Sequence, residues 1–296
     1  MVPMGDKQYL VALTNQSHGR VDVHDIGKGV IDESSLVWSH QYDQAAIAGV
    51  KLRLYKGRKV VLTSYGHMSA AMIDYETHEQ LYVTDHTGAN PHSIELIPFD
   101  DGRYLIAVAS SVGFDVKFFD PSEGKIPSVG CVYAPDGHGV LYDPDEKCLW
   151  ILSGNVLSKN EVTWENGEVT VKRLAKYVAP FAGGHDLAPY YGDKNRLWVT
   201  FHRTVYQFDK TTGEFRTDYD SFPLIHSEER DGQVKGIGNF DDGSCVKIYP
   251  DGKCHQWTST TIRFMKKNED GSFDKTAITS EMGHYYKIRV FCESYN

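Results

Sequence analysis

Short apolar runs, rich in β-branched and aromatic side chains, recur along the chain between clusters of Gly, Asp, Asn, Ser and Lys. The clearest series is Tyr9–Leu13, Lys59–Thr63, Tyr104–Val108, Cys148–Leu152, Arg196–Thr200 and Ser244–Ile248. Runs this short, bounded by turn residues, predict strands, and no segment of ten or more residues carries the 3.6-residue apolar period of a helix. Centred on residues 11, 61, 106, 150, 198 and 246, the runs step by 50, 45, 44, 48 and 48 residues. A repeat of that length is what four-stranded propeller blades produce.

A second run follows each of the first: Val21–Asp25, Ala71–Tyr75, Val116–Asp120, Val162–Asn166, Val205–Asp209 and Thr261–Met265. Turns such as Asp120–Gly124, Asp209–Gly213 and Lys267–Gly271 supply the positive-φ positions that hairpins require. Outer strands come next, as at Gln80–Thr84 and Val169–Arg173. The chain start supplies three strands and the chain end a lone one, Tyr286–Phe291. Pairing these predicts a sixth blade built from both ends, which removes the open sheet edges. The expected fold is an all-β, six-bladed β-propeller forming a single domain over residues 1–296.

The strand that opens a blade repeats a short phrase: Pro91-His92-Ser93-Ile94-Glu95, Gly137-His138-Gly139-Val140, Gly183-Gly184-His185-Asp186 and Gly283-His284-Tyr285-Tyr286. With these openings the chain resembles six-bladed β-propeller proteins, and among them a little-characterised bacterial branch common in gut bacteria. In a propeller the first strand of each blade lines the central channel. The positions expected there are Lys51, His92, His138, His185, Lys235 and His284, with spacings of 41, 46, 47, 50 and 49 residues.

Composition narrows the chemistry. The chain has 296 residues, with 41% hydrophobic and 24% charged residues, as in a folded protein. A net charge of −9 disfavours nucleic-acid backbones and anionic membranes as partners and leaves a small molecule or an oligosaccharide. A monomer is expected. No apolar run approaches a membrane span, and Met1–Leu10 lacks the basic-then-apolar layout of an export signal. The five cysteines form no CxxC pair, so buried free thiols are expected rather than a disulfide framework or a thiolate zinc site.

Imidazoles in one phase of a repeat offer neutral nitrogen donors to a divalent ion such as manganese, zinc, calcium or iron. His92, His138 and His185 come from adjacent blades and form the expected metal face, with His284 as a fourth ligand or a base. Lys51 and Lys235 are expected to meet an anionic group of the ligand. Tyr65, His67 and Arg203, at the ends of neighbouring strands, are further catalytic candidates, with His202 beside them. Glu95 and Asp186, three and one residues beyond their histidines, are either acceptors that orient the imidazoles or surface carboxylates. A lone channel histidine is more often only a hydrogen-bonded lining residue; it is the shared phase that points to a site.

This set is similar by residue type to propeller lyases that cleave uronate-containing oligosaccharides, of which the oligogalacturonate lyases have seven blades and longer chains. That resemblance implies a histidine-bound metal, a cation neutralising the sugar acid and a base removing the C5 proton, hence elimination or hydrolysis of an acidic oligosaccharide. The alternative is a propeller that binds a glycan or a protein without chemistry, through exposed aromatics such as Tyr65, Trp198 and Trp257. An iron centre using all four histidines is a third reading. No GxSxG, P-loop or HExxH pattern occurs.

Overall fold

The computed structural model describes residues 8–43, 46–66, 68–122, 128–202, 204–217 and 233–295. Their regular structure is six four-stranded antiparallel sheets, and the chain is an all-β, six-bladed β-propeller. Among the described residues the helical content is one short 3-10 turn, Ile26–Lys28. Two compact units are distinguished, Met1–Ile47 with Ala188–Phe291, and Ala48–Leu187 with Cys292–Asn296.

In the first unit, β1 (Leu10–Asn15), β2 (Arg20–Asp25) and β3 (Leu36–Gln41) share a sheet with β24 (Tyr285–Val290), in the order β24-β1-β2-β3. Val11 faces Val290 and Leu13 faces Ile288. The pairing of the two chain ends predicted by the strand count is therefore present. In the second unit lie β4 (Gly49–Tyr55), β5 (Arg58–Tyr65), β6 (Ser69–Asp74) and β7 (Gln80–Thr84). They are followed by β8 (Pro91–Pro98), β9 (Tyr104–Ser110), β10 (Asp115–Phe119) and β11 (Gly130–Tyr133). Its third sheet is β12 (Gly137–Asp143), β13 (Cys148–Ser153), β14 (Val156–Glu165) and β15 (Glu168–Val178).

The division between units falls inside β16 (Gly184–Pro189), which opens a sheet with β17 (Arg196–Phe201), β18 (Val205–Asp209) and β19 (Glu214–Arg216). The last sheet, in the first unit, comprises β20 (Gly236–Asn239), β21 (Cys245–Ile248), β22 (Thr261–Lys267) and β23 (Phe273–Thr279).

The apolar runs of the sequence are the second strands of these sheets. They are covered on both faces, so they read as continuous rather than alternating apolar segments. Val60 and Leu62 of β5 pack with Ile94, Leu96, Ile106 and Val108 of β8 and β9 in one core. Ala107 and Ala109 pack with Val140, Leu149 and Ile151 in the next. In the first unit Val11, Leu13, Val246, Ile262 and Ile288 form another.

Hairpins are fixed by aspartates at strand ends. The Asp74 carboxylate accepts the amides of Glu76 (3.0 Å) and Thr77 (2.8 Å), and Asp209 those of Thr211 (2.8 Å) and Thr212 (3.2 Å). Such side-chain-to-backbone bonds substitute for the ladder where the chain reverses. Two of the turns expected to need positive φ have it, at Gly213 (74°) and Gly271 (82°), and Gly124 of the third lies outside the described residues. All five cysteines are free, but only Cys148 and Cys245 are buried, whereas Cys131 and Cys254 are exposed and Cys292 half-buried. The expectation of buried thiols thus holds for two of them.

Candidate functional site

Three of the four phased histidines meet in the second unit. His92, His138 and His185 are buried to 9%, 7% and 6% exposure at the starts of β8, β12 and β16. The rings of His92 and His138 stack with centroids 4.1 Å apart and planes 17° apart. Those of His138 and His185 meet edge-on at 5.4 Å and 70°.

Two backbone devices put them there. Pro91 pairs with Ser110 and Ser93 with Ala109, so His92 is the extra residue of a β-bulge. His138 is the extra residue between Gly137, paired with Ser153, and Gly139, paired with Leu152. A bulge takes one side chain out of the strand's alternation and re-aims it. The second device lies two residues upstream of each imidazole. Asn90 (φ 59°), Asp136 (φ 57°) and Gly183 (φ 77°) all take the left-handed conformation, in residue types that tolerate it. The inner strands also run close together: a Cβ on Gly139 would lie 2.6 Å from Cβ of Leu187.

Asp136 orients its histidine. Nδ1 of His138 donates to the Asp136 carbonyl oxygen at 3.0 Å, with a carboxylate oxygen of the same residue at 3.2 Å. The proton is thereby held on Nδ1 and the Nε2 lone pair is left for a ligand or a proton. Two imidazoles on one tetrahedral ion, with nitrogens at about 2.0–2.1 Å, have ring centres about 5 Å apart. The His138–His185 pair has that spacing. The His92–His138 stack does not, because lone pairs lie in the ring planes and nearly parallel planes keep them from converging. Among the described residues, the His/Cys/Asp/Glu trio whose donor atoms all fall within 4.8 Å of one another is Asp143, Glu146 and Cys148. There Asp143 already accepts the amides of Asp145 (3.1 Å) and Glu146 (3.2 Å) in a hairpin turn.

Lys51 and Glu95 have other roles than the sequence suggested. Nζ of Lys51 lies 2.8 Å from Glu95 and also donates to the Val140 carbonyl, while Arg53 grips Glu95 through Nε at 2.8 Å and Nη2 at 2.9 Å. Glu95 is fully buried, and Lys51 and Arg53 are 4% and 2% exposed. Burial alone would raise the Glu95 pKa, but Arg53 and Lys51 outweigh it and hold the carboxyl below its usual range. The anion that Lys51 was expected to meet is therefore Glu95, which is bound by cations and orients no imidazole. Phase explains the difference. β4 pairs with β5 without a bulge, and the left-handed residue on its approach is Ala46, two places before Ala48. Lys51 lies beyond the histidine position.

His284 and Lys235 belong to the first unit. Lys235, at 5% exposure, follows the left-handed Gln233 (φ 67°) by two residues and so keeps the histidine phase. Burial, and secondarily the charge of Lys287, pushes its pKa down to about 8. Its ammonium lies 5.7 Å from the centre of the Tyr286 ring. His284 meets the His255 ring edge-on at 5.0 Å, and its pKa is lowered by burial and by His255 and His18, against the pull of Asp251.

A pH-dependent stability follows from Lys235. Between pH of about 8 and the 10.5 of an ordinary lysine, the folded chain has released a proton that the unfolded chain keeps, so stability rises with pH across that window. Lys235→Met is accordingly expected to improve on the parent chain most at neutral pH and least near pH 10. Urea unfolding of both proteins across the window measures it.

The remaining candidates are scattered. Tyr65 is buried at 7% exposure and Trp198 is fully buried, its Nε1 donating to Asn239 at 2.9 Å, so neither is the exposed aromatic that was expected. Trp257 is 47% exposed and stacks on His255 at 5.0 Å. His202 is exposed just past β17. His67 and Arg203 lie outside the described residues. Asp186 is buried, at 1% exposure. The feature that sequence reading missed is the left-handed residue two places before each imidazole. Its signal was present as Asn-Pro-His, Asp-Gly-His and Gly-Gly-His.

Residues 37–227 match a family model described as "Family of unknown function (DUF6528)". The chain belongs to this family. A comparison with curated proteins gives no match. Among solved structures, this DUF6528 chain is similar to a functionally unknown protein from Desulfotomaculum acetoxidans DSM 771. The identity is 9% and the TM-score 0.57, over 90% of this chain and 78% of that one. It is also similar to the WD40 beta propeller domain of Doa1, at 16% identity and a TM-score of 0.55, over 96% of this chain and 86% of the other. At such identities the likeness establishes fold alone.

Proposed function

We propose that this propeller is a carbohydrate-active enzyme in which His92, His138 and His185 hold a divalent metal and an acidic oligosaccharide is cleaved by elimination or hydrolysis. The observation that carries the reading is the recurrence, in three successive sheets, of a left-handed residue two places before a buried histidine. Packing alone has no reason to repeat imidazole with that backbone. His138 and His185 stand at the ring spacing of two ligands on one ion, and Asp136 fixes the His138 tautomer that leaves Nε2 available. His92 has to turn out of its stack to join them.

When bound, the ion would polarise a substrate carboxylate or activate water. His92, His138 and His185 would hold it, and Asp136 would keep His138 oriented. His284 as base and Lys235 as anion holder enter by sequence phase alone.

The protein, stripped of metal by a chelator, is expected to take up one divalent ion per chain in calorimetric titration with manganese, zinc, calcium or iron(II). His138→Ala should weaken uptake by about a hundredfold or more, the upper end of what even an outer partner costs. Ultraviolet detection of unsaturated uronates then reports elimination. No uptake, together with unchanged ligand binding in His138→Ala, sinks the proposal. The second reading, a glycan or protein bound without chemistry, is favoured by the His92–His138 stack, and such a site would retain binding in chelator.

A further inference from the structure

A cavity of 490 Å³ opens in the second unit between the end of β11 and the hairpin β14–β15. That is within the size of small-molecule pockets, about 300–1,000 Å³. Its polar residues are arranged by a third bulge. Along β15, Arg173 and Lys176 are three residues apart, which in a regular strand would put them on opposite faces. However, Asn160 pairs with Arg173 and Lys159 with Ala175, so Leu174 is an extra residue. Ser158 then pairs with Lys176, and since Asn160 and Ser158 share a face, so do Arg173 and Lys176. All four line the cavity.

Beneath the two cations the floor is preorganised. Asn160 and Ser158 are 2% and 6% exposed, and Nδ2 of Asn160 donates to Oγ of Ser158 at 2.9 Å and to the carbonyls of Leu149 and Ser158 at 3.1 Å. Those bonds direct the Asn160 amide donor inward. Above it, Arg173 and Lys176 are exposed, and among the described residues neither has a carboxylate within ion-pair distance. The acidic side chain on the cavity wall is Asp136, which faces His138. Two unmatched cations aimed at one space, in a chain of net charge −9, are a local reversal of sign. The rest of the lining mixes apolar Val132, Ile151 and Val156 with polar Ser153 and Asn155, and Tyr133, at 73% exposure, adds an aromatic ring. A lining of mixed apolar and hydrogen-bonding side chains, an exposed aromatic ring and a guanidinium that can grip a carboxylate in bidentate fashion fit a compact ring acid rather than a polyphosphate.

We infer that this cavity binds a carboxylate-bearing ring of the size of one uronic acid residue, with Arg173 and Lys176 on the carboxylate and Tyr133 against the ring. It shares its ligand class with the function proposed above, and Asp136 borders both sites, but the residues that would hold the ligand are different and it needs no metal.

The test is calorimetric titration of the full chain with galacturonate oligomers, their neutral counterparts, acetate and inorganic phosphate. The parent chain is expected to prefer the uronate, and the Arg173→Ala/Lys176→Ala double variant to bind it at least tenfold more weakly with an unchanged melting temperature. Arg173→Lys should recover part of the loss. The inference is overturned if the neutral oligomer binds as well as the uronate, if the double variant binds like the parent, or if phosphate or acetate alone binds as tightly. Metal uptake measured on the same double variant stays at the parent level, so failure here and failure of the histidine reading are told apart.

Discussion

Replacing Glu95 with alanine is expected to cost about 3–5 kcal/mol of folding stability, because it leaves two buried cations without their shared anion. Glu95 takes Lys51 at 2.8 Å and Arg53 at 2.8 and 2.9 Å, all three side chains being at most 4% exposed. The cations cannot turn to water. Arg53 is further fixed by the carbonyls of Leu52 (2.8 Å) and Ser294 (3.2 Å) and by the ring of Tyr295, 4.2 Å from its guanidinium carbon. Glu95→Gln keeps the shape but not the charge, so it should fall close to alanine. Replacing Glu95, Lys51 and Arg53 together with apolar residues should recover much of the loss, since no charge is then stranded. Because the Glu95 pKa is held below its usual value, the stability it contributes is complete above pH of about 4.5 and is lost as pH falls through the folded-state pKa. Denaturant unfolding of the parent and of Glu95→Gln, at neutral and at acid pH, checks both statements; equal stability of the two at neutral pH would refute them.

Ending the chain before Tyr285 is expected to abolish folding of the first unit. β24 brings Tyr285 and Ile288, both at 0% exposure, and Tyr286 at 4%. Each fully buried side chain of this kind is worth about 1.5–3 kcal/mol. Losing the three also uncovers Val11 and Leu13 and strips β1 of its partner on one side. The sum rivals the whole stability of a typical domain, about 5–15 kcal/mol. A truncated chain that stays soluble and gives a cooperative thermal transition would contradict this. Ile288→Asp, tested in the intact chain, should produce a similar loss without removing any residue.

The six sheets were legible because each second strand is buried on both faces and announces itself as an apolar run at a steady period. The chain-end pairing was legible for the same reason, through the strand count. The histidine phase was also readable, yet the sequence did not reveal how the rings are presented. His92, His138 and Leu174 are each extra residues in a bulge, and a bulge exists only in the pairing of two strands. Nothing in one strand's own alternation marks it. Likewise the residues that claim Glu95 lie on β4, a whole sheet earlier in the chain, so Lys51 looked available for a ligand. Trp198 and Trp257 are the same residue type with opposite exposure, because one meets Asn239 in a core and the other sits on a loop. By contrast, Asn90, Asp136 and Gly183 were visible in advance to anyone asking which residue types accept left-handed backbone.

The sheet β24-β1-β2-β3 also sets a timetable for biosynthesis. Its first three strands leave the ribosome before the other five sheets, and the strand that pairs with β1 emerges after them. While those sheets are being made, β1 carries an open edge flanked by Val11 and Leu13, the kind of surface that recruits chaperones or pairs with the wrong partner. Closing that sheet late, across almost the full sequence separation, favours slow folding. A circular permutant that begins at Tyr285 and joins the strand directly to β1 would make those partners neighbours in synthesis. It should fold faster than the natural order and depend less on chaperones.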